Sequence, residues 1–282
     1  PESIPGAPAL KPGTPIVLGG IEASLRRIAH YDYWSDSVRR SILLDAKADL
    51  LVFGIGERAA WEIARRLDGG EKVANLTDVR GTAHVIDDVE EWRRIAATPS
   101  KFVTDGLPVV LPSYEEVLAD KAAFSRMSQR FQVETNAANA RPLLQVHGKQ
   151  AGYFNRPALP LNEQEMDALY DLPFERAQHP SYRGDKVPAF ETVKESIVTM
   201  RGCFGGCTFC SITEHEGRVI QSRSSDSVVR EVRALTRMAG FSGMISDVGG
   251  PTANLYNLPC TDARPARACR RLSCVPPGLC PP

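Results

Sequence analysis

The chain has 282 residues with 43% apolar and 24% charged content, the balance of a soluble globular protein of one large or two ordinary domains. Thirty-four Lys and Arg offset thirty-four Asp and Glu, which excludes a global field recruiting nucleic acid or a membrane surface; nucleic acid is not indicated, and only local patches stay open. No apolar run approaches the roughly 20 residues of a membrane helix and no signal peptide opens the sequence, so the expected compartment is the cytoplasm, without a membrane partner.

Residues 1–14 (PESIPGAPALKPGT) are Pro-rich and read as an extended linker. Residues 15–18 form a short apolar strand ending in Gly19-Gly20, followed by a helix over 22–30. A second strand over 48–53 ends in Gly54-Ile55-Gly56-Glu57, and Ala60, Ile63, Ala64 and Leu67 then recur at helical spacing. Strand, glycine turn and helix, repeated, predict a parallel doubly wound layer, so 15–105 is expected to be an incomplete Rossmann-like α/β domain. Glycines at strand ends let a ligand approach the backbone, or simply make tight turns. His30-Tyr31-Asp32-Tyr33-Trp34-Ser35-Asp36 reads as a surface loop packing its aromatics on the sheet.

A strand over 82–86, a charged helix over 89–96 and a break over 108–112 follow. Ser113 caps a helix from Tyr114 to about Phe131, with Glu115 and Glu116 in the first turn where the helix dipole favours negative charge. Residues 136–190 are rich in Asn, Pro, Arg and Gly, with one short helix over 162–170 capped by Asn162. The stretch 106–190 is therefore expected to be a helical and irregular connector. His179, in a Pro-rich loop, reads as solvated or hydrogen-bonded structure.

Residues 196–200 predict a strand delivering the loop Arg201-Gly202-Cys203-Phe204-Gly205-Gly206-Cys207-Thr208-Phe209-Cys210. Its C-x3-C-x2-C spacing can bring three thiolates to one point, one fewer than a closed zinc site or an ordinary ferredoxin cluster uses. A zinc site completed by a distant ligand, or plain buried thiols, are the alternatives. Glu214 and His215, in the polar run 213–218, are candidates for proton handling. Helix caps over 222–227, an apolar stripe at Val228, Val229, Val232 and Leu235, and a strand over 243–248 ending in Gly249-Gly250-Pro251 complete a strand, loop, helix, strand unit. Such a unit opens a parallel barrel whose ligands sit at the C-terminal strand ends. Cys260, Cys269, Cys274 and Cys280 follow at C-x8-C-x4-C-x5-C spacing, without the paired knuckles of zinc ribbons; a second metal site or auxiliary iron-sulfur cluster is open here. Arg264, Arg267, Arg270 and Arg271 form a small basic patch among them. Seven cysteines in a cytosolic chain read as metal or redox ligands before disulfides.

The cysteine spacing resembles that of the radical SAM enzymes, and RGCFGGCTFCSITEHEGR is similar to the corresponding string of YgiQ-type radical SAM proteins. The resemblance spans 15–282 and is most specific over 196–257. It implies that Cys203, Cys207 and Cys210 hold a 4Fe-4S cluster whose fourth iron is chelated by S-adenosyl-L-methionine. It implies further that Phe209 lies against the adenine and that Gly249 and Gly250 contact the cofactor, with Pro251 where an acidic residue is usual. IVLGG and VFGIGE resemble part of a cobalamin-binding domain, yet no D-x-H-x-x-G loop is present and cobalamin is not expected. The implied activity is reductive cleavage of S-adenosylmethionine to a 5'-deoxyadenosyl radical that attacks an unidentified substrate, with an electron donor such as flavodoxin or ferredoxin. The rival readings are a non-catalytic iron-sulfur electron-transfer or scaffold protein and a zinc-binding nucleic-acid module. The chain opens on Pro1, and 191–282 supplies only the start of a radical SAM core, a partial TIM-type barrel; an incomplete product that does not turn over alone is expected.

Overall fold

A computed structural model describes residues 13–97, 107–182, 184–260, 268–275 and 277–280. Residues 1–12 of the expected linker, and Arg264 and Arg267 of the basic patch, lie outside the described residues. In chain order the elements are β1 (Val17–Leu18), α1 (Gly20–Leu25), β2 (His30–Asp32), β3 (Ser37–Arg39), α2 (Ile42–Asp45), β4 (Leu50–Val52), α3 (Glu57–Asp68), β5 (Thr82–Ile86), α4 (Val89–Ala97), β6 (Val109–Val110), α5 (Tyr114–Ala119), α6 (Lys121–Val133), β7 (Leu143–His147) and β8 (Gln150–Phe154). They continue with α7 (Glu163–Tyr170), α8 (Pro188–Val193), β9 (Ser196–Val198), β10 (Met200–Arg201), α9 (Ile212–His215), β11 (Gln221–Ser222), α10 (Ser225–Leu235) and β12 (Asp247–Gly249). The chain divides into two compact units. The larger gathers Pro15–Pro160, Phe204–Val219 and Cys260–Pro282, and the smaller Leu161–Cys203 and Ile220–Pro259.

The larger unit is built on a six-stranded sheet in the order β1-β4-β5-β8-β7-β6. Side chains alternate across its faces, as the strand period of two requires. Leu51, Phe154 and Leu143 pack with Met127 and Val117 on one side. Leu50 and Val52 meet Ala59 and Ile63 of α3 on the other, where Leu144 and Ala151 are joined by Trp92 and Ile95 of α4. Both faces are therefore covered by helices. Buried Gln145 is fully satisfied: its Oε1 accepts from Ala29 N at 2.7 Å and its Nε2 donates to Pro112 O at 2.9 Å.

The expected α/β class holds, and the purely parallel layer does not. β1 with β4 and β6 with β7 are parallel, while β4–β5, β5–β8 and β7–β8 are antiparallel. The region read as a connector supplies three of the six strands. Two prolines flank the two-residue β6, and Gln145, His147 and Gly152 interrupt the apolar pattern of the β7–β8 hairpin, so neither strand announces itself. The single helix expected from Tyr114 is two helices. Asp120 leaves helical geometry (φ −137°, ψ 116°), ends α5, and caps α6 by accepting from the amides of Ala122 and Ala123. The 30–36 segment is the tip of the β2–β3 hairpin, and its aromatics face solvent: Tyr33 is 78% and Trp34 89% exposed.

In the smaller unit β9 and β12 pair in parallel, Ser196 opposite Asp247, with α10 between them in sequence. The strand, loop, helix, strand order read from the sequence is thus present. Ser224 caps α10 by accepting from Ser227 N and is itself fixed to Asp167 of α7. β10 and β11 form a separate antiparallel pair.

Candidate functional site

Within the larger unit, the loop after Phe204 is shaped by the terminal cysteine-bearing segment. Ser273 Oγ donates to Gly205 O at 2.5 Å and Cys274 N donates to Phe204 O at 3.0 Å. Gly206 has φ +60°, and a Cβ there would stand 2.2 Å from Leu272 O, so only glycine fits both the backbone and the contact. The terminal segment is anchored in turn. The side-chain amides of Asn136 and Asn139 both donate to Cys269 O, at 3.0 and 2.9 Å, and Arg270 pairs at 2.9 Å with Glu134, whose side chain is 1% exposed and also binds Arg141.

A small cavity of about 80 Å³ adjoins this loop, lined by Gln132, Thr135, Gly206, Cys207, Thr208, Cys210, Thr213, Glu214, Arg218 and Leu272. Two of the three motif cysteines and one proton-handling candidate therefore share one wall. Glu214 sits on the short α9, and burial pushes its carboxyl up to about 6 against the pull of Arg27 and Arg218. Its Oε2 has no hydrogen-bond partner and lies 3.8 Å from Arg27 Nη2. Arg27 is buried between the rings of Phe53 and Phe131, 4.6 and 4.3 Å from their centroids, and donates to Ser24 O. Burial lowers its pKa to about 10, with Glu214 opposing, so it remains cationic. Arg218 is depressed by burial and held up by Cys269, Cys274 and Glu214. His215, the other proton-handling candidate, follows Glu214 at the end of α9 and does not line this cavity.

In the smaller unit Cys203 is half-buried just beyond β10. Met200 is fully buried, and a Cβ on Gly250 would stand 2.7 Å from its Cγ, so the Met200 side chain would have to shift for any other residue there. Gly249 O accepts from Thr199 N at 2.8 Å, which already engages that carbonyl in the β9–β12 pairing. Arg223, 0% exposed, holds the end of β9 through Val198 O at 2.8 Å, bonds Ser227 and Glu231, and stacks 4.1 Å from the Tyr170 ring centroid.

Phe209 is 91% exposed, which excludes a packed core aromatic. All seven cysteines are free thiols. Three thiols in a glycine loop are the right donors for three corners of an iron-sulfur cluster, so the donor set fits. Among the described residues no three His, Cys, Asp or Glu side chains are drawn up around a single metal ion. Of the terminal cysteines, Cys274 is raised by burial and then by Cys280, with Cys269 and Cys260 also within electrostatic reach. Arg27, Gln132 and Thr135 escape the sequence reading. Arg27 falls in the stretch expected to be helical over 22–30, but α1 ends at Leu25 and Arg27 lies in the bend between it and β2; a buried arginine has the same sequence pattern as a solvated one.

The family model for the radical SAM N-terminal domain matches residues 8–196. A UPF0313 protein of Bradyrhizobium diazoefficiens is 52% identical over 95% of this chain and 41% of its own length. One of Rhodopseudomonas palustris is 52% identical over the same shares, and the UPF0313 protein YgiQ of Escherichia coli K12 is 45% identical over 95% of this chain and 42% of its own. The chain thus spans about two fifths of the length of these relatives. The glycine-rich cysteine loop, the strand, loop, helix, strand unit that contains it and these matches lead to one conclusion: the chain belongs to the UPF0313 family of YgiQ-type radical SAM proteins.

Proposed function

We propose that this chain carries the cofactor-binding start of a radical SAM enzyme. Cys203, Cys207 and Cys210 would hold a 4Fe-4S cluster, with Phe209, Gly249 and Gly250 toward S-adenosylmethionine. The observation that carries the reading is the set of three free thiols at C-x3-C-x2-C spacing in a loop that follows one strand of a parallel pair. When bound, the cluster supplies one electron for the reductive cleavage of S-adenosylmethionine, and the hard chemistry is the cofactor's. The chain's own residues orient and shield. Gly206 and the terminal segment fix the loop, Phe209 offers an exposed ring for stacking, and the backbone at Gly250 is held by its contact with Met200. Glu214, with a carboxyl near 6, can keep or release a proton near neutral pH beside Cys207 and Cys210. Cys260, Cys269, Cys274 and Cys280 belong to the same proposal as a second metal site. A one-electron reductant such as flavodoxin or ferredoxin, and a substrate placed by further parts of the protein, complete the reading; the expected compartment is cytoplasmic. Among the described residues no helix is long and apolar enough to cross a membrane.

The test is anaerobic reconstitution of the wild-type chain and of the triple Cys203, Cys207 and Cys210→Ala variant, with iron and sulfide assayed per chain. The variant loses the iron and sulfide of this site, and metal that remains reports on the terminal cysteines. Equal iron and sulfide in both proteins would sink the assignment. Release of 5'-deoxyadenosine on adding S-adenosylmethionine and dithionite then separates an enzyme from a protein that only carries electrons.

A further inference from the structure

Two guanidinium groups lie near Glu214, and they differ in one respect. Arg27 is fully engaged: it donates to Ser24 O, sits between two aromatic rings and faces the Glu214 carboxylate. Arg218 makes no hydrogen bond or ion pair among the described residues, although it is more than half shut away from solvent and lines the cavity together with Cys207 and Cys210. A guanidinium carries five N–H donors and no acceptor, and withdrawing it from water without a partner is costly. What faces it is anionic or can become so: Glu214, and the thiols of Cys269 and Cys274.

A thiolate-ligated cluster has the chemistry that would satisfy such a group. Its sulfurs accept hydrogen bonds, and the cluster gains one negative charge on reduction, so a nearby cation and N–H donors favour the reduced state and raise the potential. We propose that Arg218 is a positioning residue for the cluster, its guanidinium turned to the sulfurs at Cys207 and Cys210 so that the cluster is easier to reduce. Glu214, across the same cavity, opposes it. The proposal rests on the cluster assignment made above and adds which residues of the larger unit set its potential.

The experiment is an EPR-monitored redox titration at pH 8 of the reconstituted 282-residue chain as wild type, Arg218→Gln, Arg218→Lys and Glu214→Gln, with iron and sulfide assayed for each. Arg218→Gln shifts the midpoint to more negative potential, Arg218→Lys stays nearer wild type because it keeps the charge, and Glu214→Gln shifts it the opposite way. A cluster lost in Arg218→Gln and kept in Arg218→Lys also supports a charge role. An unchanged midpoint in Arg218→Gln with full iron and sulfide overturns the proposal, as does loss of the cluster in both Arg218 variants, which marks a packing role for the side chain. Wild-type protein that takes up no iron and sulfide overturns the cluster assignment itself, and this proposal with it.

Discussion

The two units of this chain are held together by different means. In the larger, a six-stranded sheet is covered on both faces and every residue of β4 is buried, so apolar burial does most of the work. In the smaller, β12 is largely exposed, with Val248 at 54%, and the interior is polar: Arg223 and Arg176 share Glu231, and Asp167 fixes Ser224. A sheet with two covered faces tolerates exchanges among apolar residues of similar volume. A polar network demands each partner, and fixes one arrangement of the strand ends from which the cysteine loop departs.

The comparison breaks first at its two centres. Phe154→Ala, at a 1% exposed position, should cost about 3–5 kcal/mol through lost packing and a residual cavity, and Glu231→Ala should cost a similar amount by leaving the buried Arg223 and the half-buried Arg176 without their carboxylate. Hydrogen exchange followed by unit should show the first loss in β5–β8 and the second around α10. Equal loss of protection in both units from either variant would mean that they unfold as one.

Acid should act on the larger unit. His147 is buried and His84 half-buried, and desolvation lowers each pKa to about 4 from an ordinary 6.5; neither ring nitrogen of His147 has a hydrogen-bond partner. Above pH 6.5 both states are neutral and no penalty exists. As pH falls below 6.5 the unfolded chain takes up protons first, so stability drops until the folded histidines protonate near pH 4, by about 3 kcal/mol for each. Urea midpoints at pH 7 and pH 4.5 test this, and His147→Gln should flatten the dependence. A midpoint indifferent to pH over that interval contradicts it.

Smaller effects are expected at two glycines. Gly206→Ala forces a Cβ toward Leu272 O in a left-handed backbone, and should cost roughly 2 kcal/mol, read as lost exchange protection at the Cys274 amide while β9 and β12 stay unchanged. Gly250→Ala meets only the flexible Met200 side chain and should cost roughly 1 kcal/mol, confined to the smaller unit. A larger loss from Gly250→Ala than from Gly206→Ala would reverse the ranking of the two contacts.

What could be read in advance follows the same division. β5 and α3 declare themselves by apolar spacing, and the cysteine loop by its ligand spacing. The β7–β8 hairpin does not, because Gln145 and His147 are buried polar residues that interrupt the apolar pattern, and the partners of Gln145 lie far away in sequence. The charge of the cavity wall is equally silent: Glu214 meets Arg27 across 187 positions, and no local pattern encodes such a meeting. Long-range polar pairing is what sequence periodicity omits.

The clamp of the terminal segment on the cysteine loop also orders events in time. Its hydrogen bonds join positions 133 and 136 residues apart, and Ser273 reaches 68 residues back to Gly205. Contacts this distant in sequence form slowly, and a chain emerging from the ribosome completes β8 more than a hundred residues before Cys269 appears. During synthesis the sheet therefore exists first, the loop follows, and the segment that anchors its backbone comes after both. Until then Phe204 and Gly205 lack the hydrogen bonds from Cys274 and Ser273 that shape the loop. Pulse-labelled exchange in which the Cys274 amide gains protection as early as those of β5 would contradict this order.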